Sequence, residues 1–174
     1  MSKIADIYPL SHTQQGILYH TVYESDNDLY HNQLSFVVNG NPDLQIFKQA
    51  WQEVILRYEV LRTSFHWENM EKPMQVVHHN AAPEWKYDDW SSLNSKQQEA
   101  AIINYLQTDK QNRFPLDKPC LMRIATFRIS AESLQVVWSF HHLILDGWCL
   151  PLLLTEVLEN YHAIATDSTI SRTV

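Results

Sequence analysis

The stretch "LQVVWSFHHLILDGWCLPLLL", residues 134–154, sets two adjacent histidines and an Asp-Gly pair into a run that is otherwise apolar. Its first residues are β-type, and the turn signature "SAES" separates them from a second β-type run, "CLMRIATFRI". Beyond Gly147 apolar residues recur at helical spacing, and Pro151 is tolerated because it falls in the first turn. The stretch therefore predicts a strand, a polar turn at His141 and His142, and a helix, an order typical of an active site.

Two helices are predicted in the first third of the chain. Ser11 is placed to cap the first of them, which runs to about Tyr23. Asn41 as N-cap and Pro42 at the first helical position open the second. The apolar stripe of the second helix, which is assigned to the core, consists of Leu44, Phe47, Trp51, Val54, Ile55 and Tyr58. The helix after Gly147 carries Trp148, Leu152, Leu153, Val157, Leu158 and Tyr161.

The remaining segments predict further strands and one more helix. Asn94 or Ser95 caps this helix, which carries Ile103 and Leu106 inward and runs to about Asn112. Leu34, Phe36 and Val38 alternate along a strand that ends at Asn39-Gly40, and "LRTSFHW", "PMQVVHH" and "EWKYDDW" are further β-type runs. Because helices alternate with both hairpin and non-local strands, the predicted class is α/β with a mixed sheet flanked by helices.

Composition narrows the function without naming it. The chain of 174 residues fits one domain or half of a larger one, and 45% of its residues are hydrophobic. A net charge of -7 without any cluster of Lys and Arg argues against a nucleic-acid partner. No window approaches the roughly 18 apolar residues of a membrane span, and Cys120 and Cys149 form neither a disulfide framework nor a zinc pattern. We therefore expect a cytoplasmic protein without a membrane or a metal site.

The polar residues of the turn carry groups suited to chemistry. A histidine at a strand end in an apolar shell has a pKa easily placed near neutrality, which makes His142 a candidate for general acid-base work. Asp146 within the apolar run needs an arginine partner if it is buried, and Gly147 allows a backbone N–H to approach a substrate. The alternative is that both histidines are satisfied core residues. A metal site is disfavoured because neighbouring strand side chains point to opposite faces.

Four motifs resemble one known family. "HHLILDGW" is similar to the HHxxxDG signature of condensation domains of non-ribosomal peptide synthetases, in the chloramphenicol acetyltransferase-like acyltransferase group. "YPLSHTQQGILYH" resembles the family's N-terminal motif, and "RYEVLRTSF" resembles its Arg-His-Glu-x-Leu-Arg-Thr-x-Phe motif with Tyr58 in place of histidine. "RFPLDKPCLMRI" resembles a further passage, with Pro115 where aspartate is usual.

The resemblance implies peptide-bond formation, as in antibiotic biosynthesis. In this family an amine on one carrier protein attacks the thioester of an aminoacyl or peptidyl group on another, and each substrate hangs on the phosphopantetheine arm of its carrier. No cofactor is expected to bind the domain directly. The implied partners are donor and acceptor carrier proteins and an adjacent adenylation domain. The form of the motifs is most similar to that of domains that accept a D-configured donor.

The same resemblance assigns roles to particular residues. His142 is implied as the catalytic histidine, either as a base or as a positioning group, and Gly147 as a backbone donor. His141 is implied to orient the turn, and Asp146 to pair with Arg62 in a buried salt bridge, with Arg57 as the alternative partner. Trp148 and Gln14 are assigned to the substrate tunnel, although the first is also a common core residue and the second fits an exposed helix face.

The family fold is a V-shaped pair of similar lobes, of which this sequence resembles one. Residues 1–164 are predicted as the N-terminal subdomain and 165–174 as the start of the connector to a C-terminal lobe. A site missing half its tunnel predicts negligible condensation by the chain alone. Two alternatives remain: a coenzyme A-dependent acyltransferase of the same fold, and a non-catalytic docking half-domain.

Overall fold

The computed structural model describes residues 3–23 and 29–168. Within these ranges the chain forms four α-helices, seven strands and a short 3-10 helix, Glu59–Arg62. The strands are β1 Ile4–Pro9, β2 His31–Asn39, β3 Thr63–His66, β4 Met74–His78, β5 Glu84–Asp89, β6 Met122–Ser130 and β7 Ser133–His141. The helices are α1 His12–Tyr23, α2 Leu44–Arg57, α3 Ser95–Gln111 and α4 Cys149–Ala165.

A four-stranded mixed sheet forms the centre of the fold. Its strand order is β2-β7-β6-β5, with β5 parallel to β6 and the other pairs antiparallel. The predicted hairpin is the pair β6 and β7, and β7 runs into His141 as expected. The predicted α/β class, a mixed sheet flanked by helices, is therefore confirmed.

The two faces of this sheet have different partners because successive strand residues point to opposite sides. Leu134, Val136, Trp138 and Phe140 of β7 face the large core beneath α2 and α4, where the indole rings of Trp51 and Trp138 lie 4.9 Å apart. Val137, on the other face, packs with Ala125 and Phe127 against α3. On that second face Ser139 of β7 is buried and Gln33 of β2 is partly buried.

A second sheet of three strands, in the order β1-β4-β3, lies beside the first. The predicted hairpin of β3 and β4 is confirmed. Sequence analysis missed β1, whose residues are mostly exposed and show no alternation of buried and exposed positions. Its pairing with β4 supplies what the local pattern lacks, since strand formation there depends on a partner some 70 residues away along the chain.

The helix starts follow the predicted caps with one exception. Ser11 Oγ accepts the Gln14 backbone N–H (3.2 Å) and begins α1 as predicted. The predicted cap Asn41 is wrong: it has a positive φ of 50°, and Asp43 caps α2 instead, its carboxylate accepting the backbone N–H groups of Gln45 and Ile46. Two residues later than predicted, the helix still presents its apolar stripe to the core.

The third helix also begins as predicted but faces the sheet differently. Asn94 and Gln97 form a reciprocal capping box at the start of α3. Ile103, predicted to point inward, is 50% exposed. The residues that pack against the sheet are Ile102, Tyr105 and Leu106.

The last helix is apolar on more than one side. Leu153 and Val157 are buried against the core, whereas Leu152 is 69% exposed and Trp148, just before the helix, is 87% exposed. A helix packed on one side thus leaves part of a broad apolar stripe uncovered. Among the described residues, none of the helices combines the length and apolar character that crossing a membrane requires.

Candidate functional site

The two histidines lie where β7 leaves the sheet. The His141 backbone N–H donates to the Leu121 carbonyl (3.0 Å), and that of His142 donates to the Tyr30 carbonyl (2.8 Å). These bonds tie the strand end to both of its neighbours. The His141 side chain is buried, and that of His142 is half-buried. The pair is therefore held by the rigid edge of the core and not by a loose loop.

His141 is held as a neutral imidazole. Its Nδ1 accepts the Leu143 backbone N–H (3.1 Å), and its Nε2 lies 3.5 Å from Thr21 Oγ1. The Thr21 hydroxyl donates to the Ile17 carbonyl, which leaves its oxygen to accept a hydrogen bond from the Nε2–H of His141. Burial, together with the nearby His31 and His142, lowers the pKa of His141 to about 4. A neutral ring with both nitrogens engaged fits the predicted orienting role.

His142 leaves one nitrogen for another molecule. Its ring stacks on that of Tyr30, with centroids 6.3 Å apart and planes 15° from parallel. Its Nδ1 is buried and has no hydrogen-bond partner in the part of the chain that the structure describes. A substrate can therefore reach the ring only through Nε2.

The turn after the histidines is braced from the N-terminal part of the chain. The Gln14 side-chain N–H donates to the Leu143 carbonyl (3.3 Å) and to Gln75 Oε1 (3.2 Å). The Gln75 amide donates in return to Gln14 Oε1 (3.1 Å) and to the Pro9 carbonyl (3.1 Å). The Gln14 amide thus already makes hydrogen bonds to protein groups of the turn and of Gln75. Its tunnel role stays a prediction.

Asp146 occupies a different environment from the one predicted. Its side chain is exposed, and Oδ1 accepts the backbone N–H groups of Trp148 (3.0 Å) and Cys149 (3.2 Å). Hydrogen bonds from the Cys149 side chain first, and then from these N–H groups, hold the pKa of Asp146 below its ordinary value. The carboxylate therefore shapes the turn that leads into α4.

The predicted ion pair between Asp146 and Arg62 is wrong. Arg62 Nη1 donates to the His78 carbonyl, and Nη2 lies 3.8 Å from Glu59 Oε1. The alternative partner, Arg57, lies with Nε 3.4 Å from Glu156 Oε1. Burial of Asp146 was the premise of the pairing. Because the turn carries it to the surface, the carboxylate needs no arginine.

We expect Asp146→Ala to fold and to lower the urea midpoint of unfolding by less than substitution of a buried carboxylate does. The reason is that the mutation removes only an exposed acceptor, which serves two backbone N–H groups and the Cys149 side chain at the start of α4. Asp146→Asn retains an acceptor oxygen and is the matched control, expected to unfold close to the unmodified chain. An Asp146→Ala chain that fails to fold would contradict this account.

Gly147 and Trp148 complete the motif on its exposed side. The Gly147 N–H makes no hydrogen bond to any described residue, and a Cβ added there would meet nothing within 4 Å. The Trp148 indole is almost wholly exposed. The backbone donor and the substrate wall predicted at these positions therefore belong to exposed residues, and both roles stay predictions.

A buried carboxylate that sequence analysis missed lies beneath the histidines. Asp109, near the end of α3, accepts hydrogen bonds from Arg123 Nε (2.9 Å), Gln33 Nε2 (2.7 Å) and Ser139 Oγ (2.6 Å), and lies 3.2 Å from His31 Nε2. Burial alone would raise its pKa. The hydrogen bonds from His31, Ser139 and Gln33 and the charge of Arg123 outweigh burial and hold the pKa well below its ordinary range.

The strand register explains how these partners converge. Gln33 on β2, Ser139 on β7 and Arg123 on β6 stand in one row across the sheet, and His31 pairs with His141 one row further on. The side chains that contact Asp109 on the α3 face of the sheet are those of His31, Gln33, Arg123 and Ser139. Arg123 also donates to the carbonyls of Asp109 (3.0 Å) and Asn112 (2.7 Å). The network therefore ties the end of α3 to the strand that carries the histidines.

The described residues contain no group of three or more His, Cys, Asp or Glu side chains that could hold a metal ion.

Comparison with known proteins identifies relatives over almost the whole chain. The family model described as "Condensation domain" matches residues 4–173. One protein of the linear gramicidin synthase of Brevibacillus parabrevis is 38% identical over 163 residues, which cover 94% of this chain and 2% of that protein. One protein of the mycosubtilin synthase of Bacillus subtilis is 36% identical over 164 residues, again 94% of this chain and 6% of the relative. The chain thus spans a small fraction of these proteins.

Solved structures share the fold. The starter condensation domain of rhizomide synthetase matches with a TM-score of 0.84 at 22% identity, covering 97% of this chain and 42% of that one. The first condensation domain of the calcium-dependent antibiotic synthetase, in complex with a substrate analogue, matches with a TM-score of 0.83 at 17% identity, covering 98% and 40%. At this level of identity the likeness concerns the fold.

Proposed function

Because the chain belongs to the condensation-domain family, which the match over residues 4–173 shows, we propose that it takes part in peptide-bond formation between two carrier-bound aminoacyl or peptidyl thioesters. The observation that carries the proposal is the placement of the "HHLILDG" stretch. It sets His142 at a rigid strand end with Nε2 open to a substrate and a neutral His141 buried beside it. The reaction class is amide-forming acyl transfer.

The bonds that form and break in this reaction all belong to the two substrates. The amine nitrogen of the acceptor attacks the thioester carbon, the carbon–sulfur bond breaks, and the proton lost by nitrogen ends on the departing thiol. His142 Nε2 either takes up that proton or donates a hydrogen bond that positions the reacting groups. The Gly147 N–H, which has no partner among the described residues, serves as a donor to the oxygen that becomes negatively charged.

The other motif residues support these two. His141 and Asp146 fix the turn from its buried and exposed sides, through the Leu143 N–H and the start of α4 respectively. Arg62 stabilises the fold by bonding to carbonyls of neighbouring segments. We propose that Trp148 lines the substrate tunnel directly and that Gln14 contributes by holding the Leu143 carbonyl.

We propose that residues 1–164 are the N-terminal lobe of a two-lobed domain and that 165–174 begin the connector. Support comes from the share of the solved condensation domains that the chain covers, 40 to 42% for the two described above, and from the exposed Trp148 and Leu152 beside the site, which a second lobe would cover. Residues 169–174 of the connector lie outside the described residues. The proposed partners are that lobe, two carrier proteins with phosphopantetheine arms, and an adenylation domain, in the cytoplasm.

The test is a condensation assay with two loaded carrier proteins, in which the product is identified by its mass. We expect no turnover above background from the 174-residue chain, because one lobe leaves the thioesters neither held in near-attack geometry nor shielded from water. The same chain joined to a C-terminal condensation lobe is expected to form the amide.

Each other outcome has a distinct meaning. Turnover by the single chain would contradict the two-lobe proposal. Acylation of the amine from coenzyme A thioesters but not from carriers would favour the alternative acyltransferase. A two-lobe protein that folds, binds both carriers and forms no product would contradict the catalytic proposal and favour a docking role.

A further inference from the structure

A cavity of about 290 Å³ borders the candidate site. Tyr30 lines this cavity and stacks its ring on His142, and His141 lines the cavity as well. The cavity and the candidate site therefore share these two residues. Its apolar walls are supplied in part by Phe114 and Leu116, from the segment that follows α3.

The floor of the cavity is held rigidly. His31 lines it and uses Nε2 to contact the buried Asp109 carboxylate (3.2 Å), so that Nδ1 is the nitrogen left for a bound molecule. Phe114 is held between two partners, with its ring centroid 5.0 Å from that of His31 and 4.1 Å from the Arg123 guanidinium carbon. A pocket with an apolar body and a few oriented polar groups is the usual form of a small-molecule site.

Two basic residues border this cavity. Lys110 and Arg113 both line the cavity, although the net charge of the chain is -7. Arg113 is exposed and makes no ion pair or side-chain hydrogen bond with any described residue. Arg123, by contrast, is fully engaged with Asp109. Among the described residues the Arg113 guanidinium thus has no acidic partner, and its planar fork suits a carboxylate.

We propose that this cavity binds a short hydrocarbon chain ending in a carboxylate, with Arg113 on the carboxylate and the aromatic and aliphatic walls around the chain. The free acid and the side chain of an acidic aminoacyl group share this chemistry. Assigning the site to a condensing aminoacyl group rests on the proposed function. In that case the cavity selects the acidic residue by holding its side chain while its amine or thioester lies at His142.

In the test, the 174-residue chain is titrated with hexanoate, and binding is monitored through the NMR signals of Thr21, His31 and Arg113. We expect these signals to shift with saturation, and hexanamide, which has the same shape without the charge, to bind more weakly. Arg113→Gln is expected to weaken hexanoate binding about two- to fivefold, the range of an exposed ion pair. Lys96→Gln, at the opposite end of α3, is the matched control and should leave binding unchanged.

Equal shifts with hexanoate and hexanamide, or unchanged binding by Arg113→Gln, would overturn the proposal. The titration uses neither carriers nor a second lobe, so its failure is independent of condensation activity. The aminoacyl assignment has its own measurement in the two-lobe protein. Arg113→Gln should lower the ratio of glutamyl to glutaminyl product, and an unchanged ratio beside intact hexanoate binding would restrict the site to free acids.

Discussion

Asp109→Ala is expected to lower the free energy of unfolding by about 3–5 kcal/mol, because it leaves the buried Arg123 guanidinium without its counter-charge. The same change removes the acceptor for Ser139 and Gln33, which stand beside Arg123 in one row of the sheet. Domains of this size are commonly stable by only about 5–15 kcal/mol. The variant should therefore be largely unfolded at moderate urea, as measured by circular dichroism.

Two controls separate the loss of the buried charge pair from a general sensitivity of the chain. Asp117→Ala, at an exposed position, should change stability by less than about 0.5 kcal/mol. Asp109→Ala combined with Arg123→Met should recover part of the loss, because the double variant buries no uncompensated charge. A stability for Asp109→Ala within about 1 kcal/mol of the unmodified chain would show that the network contributes little.

The effect of Asp109→Ala has a defined pH dependence. The folded-state pKa of Asp109 lies below its ordinary value, so its contribution is complete above the unfolded-state pKa of about 3.9. It is lost as the pH falls through the folded-state value. The difference between variant and unmodified chain should therefore shrink as the pH falls below about 4.

Much of the fold was predictable because its elements are specified locally. The capping box of Asn94 and Gln97 and the stripe from Phe47 to Ile55 on α2 each depend on residues within a few turns. Strand β1 could not be predicted from its own residues, because these exposed residues form a strand only through pairing with β4. The cap of α2 was placed two residues early because Asn, Pro and Asp in sequence all suit a helix start, and only the backbone at Asn41 distinguishes them.

In the candidate site, too, the features specified by neighbouring residues could be predicted and those that depend on distant residues could not. A strand ending in two histidines could be predicted from the alternation of "LQVVWSF", and the structure places His141 and His142 there. The partners of the charged residues could not, because they come from distant segments. Asp109 meets His31 and Gln33 from 78 and 76 residues away. One sequence feature does point to this network: Gln33 and Ser139 are polar residues at alternate positions of β2 and β7, and a helix that covers this face buries Ser139 and partly buries Gln33.

His142→Ala in the two-lobe protein is expected to lower the rate of product formation by about 10²–10⁴-fold, the usual contribution of a positioned proton-transfer group. The half-buried ring makes no side-chain hydrogen bond to a described residue, so its removal should leave folding and carrier binding nearly unchanged. The measurement is the rate of product formation in a single turnover with both carriers loaded, with the product identified by its mass. An unchanged rate would assign His142 to structure.

The Nδ1 atom of His142 bears on which role the ring performs. A base acting through Nε2 must carry its proton on Nδ1, and that buried atom has no acceptor among the described residues. The tautomer with the proton on Nε2 avoids burying an unpaired N–H and makes Nε2 a hydrogen-bond donor. We therefore expect His142→Gln, whose amide N–H can donate but cannot take up a proton, to retain more turnover than His142→Ala. A His142→Gln protein that folds, binds both carriers and is as slow as His142→Ala would contradict the donor role and assign proton uptake to this ring.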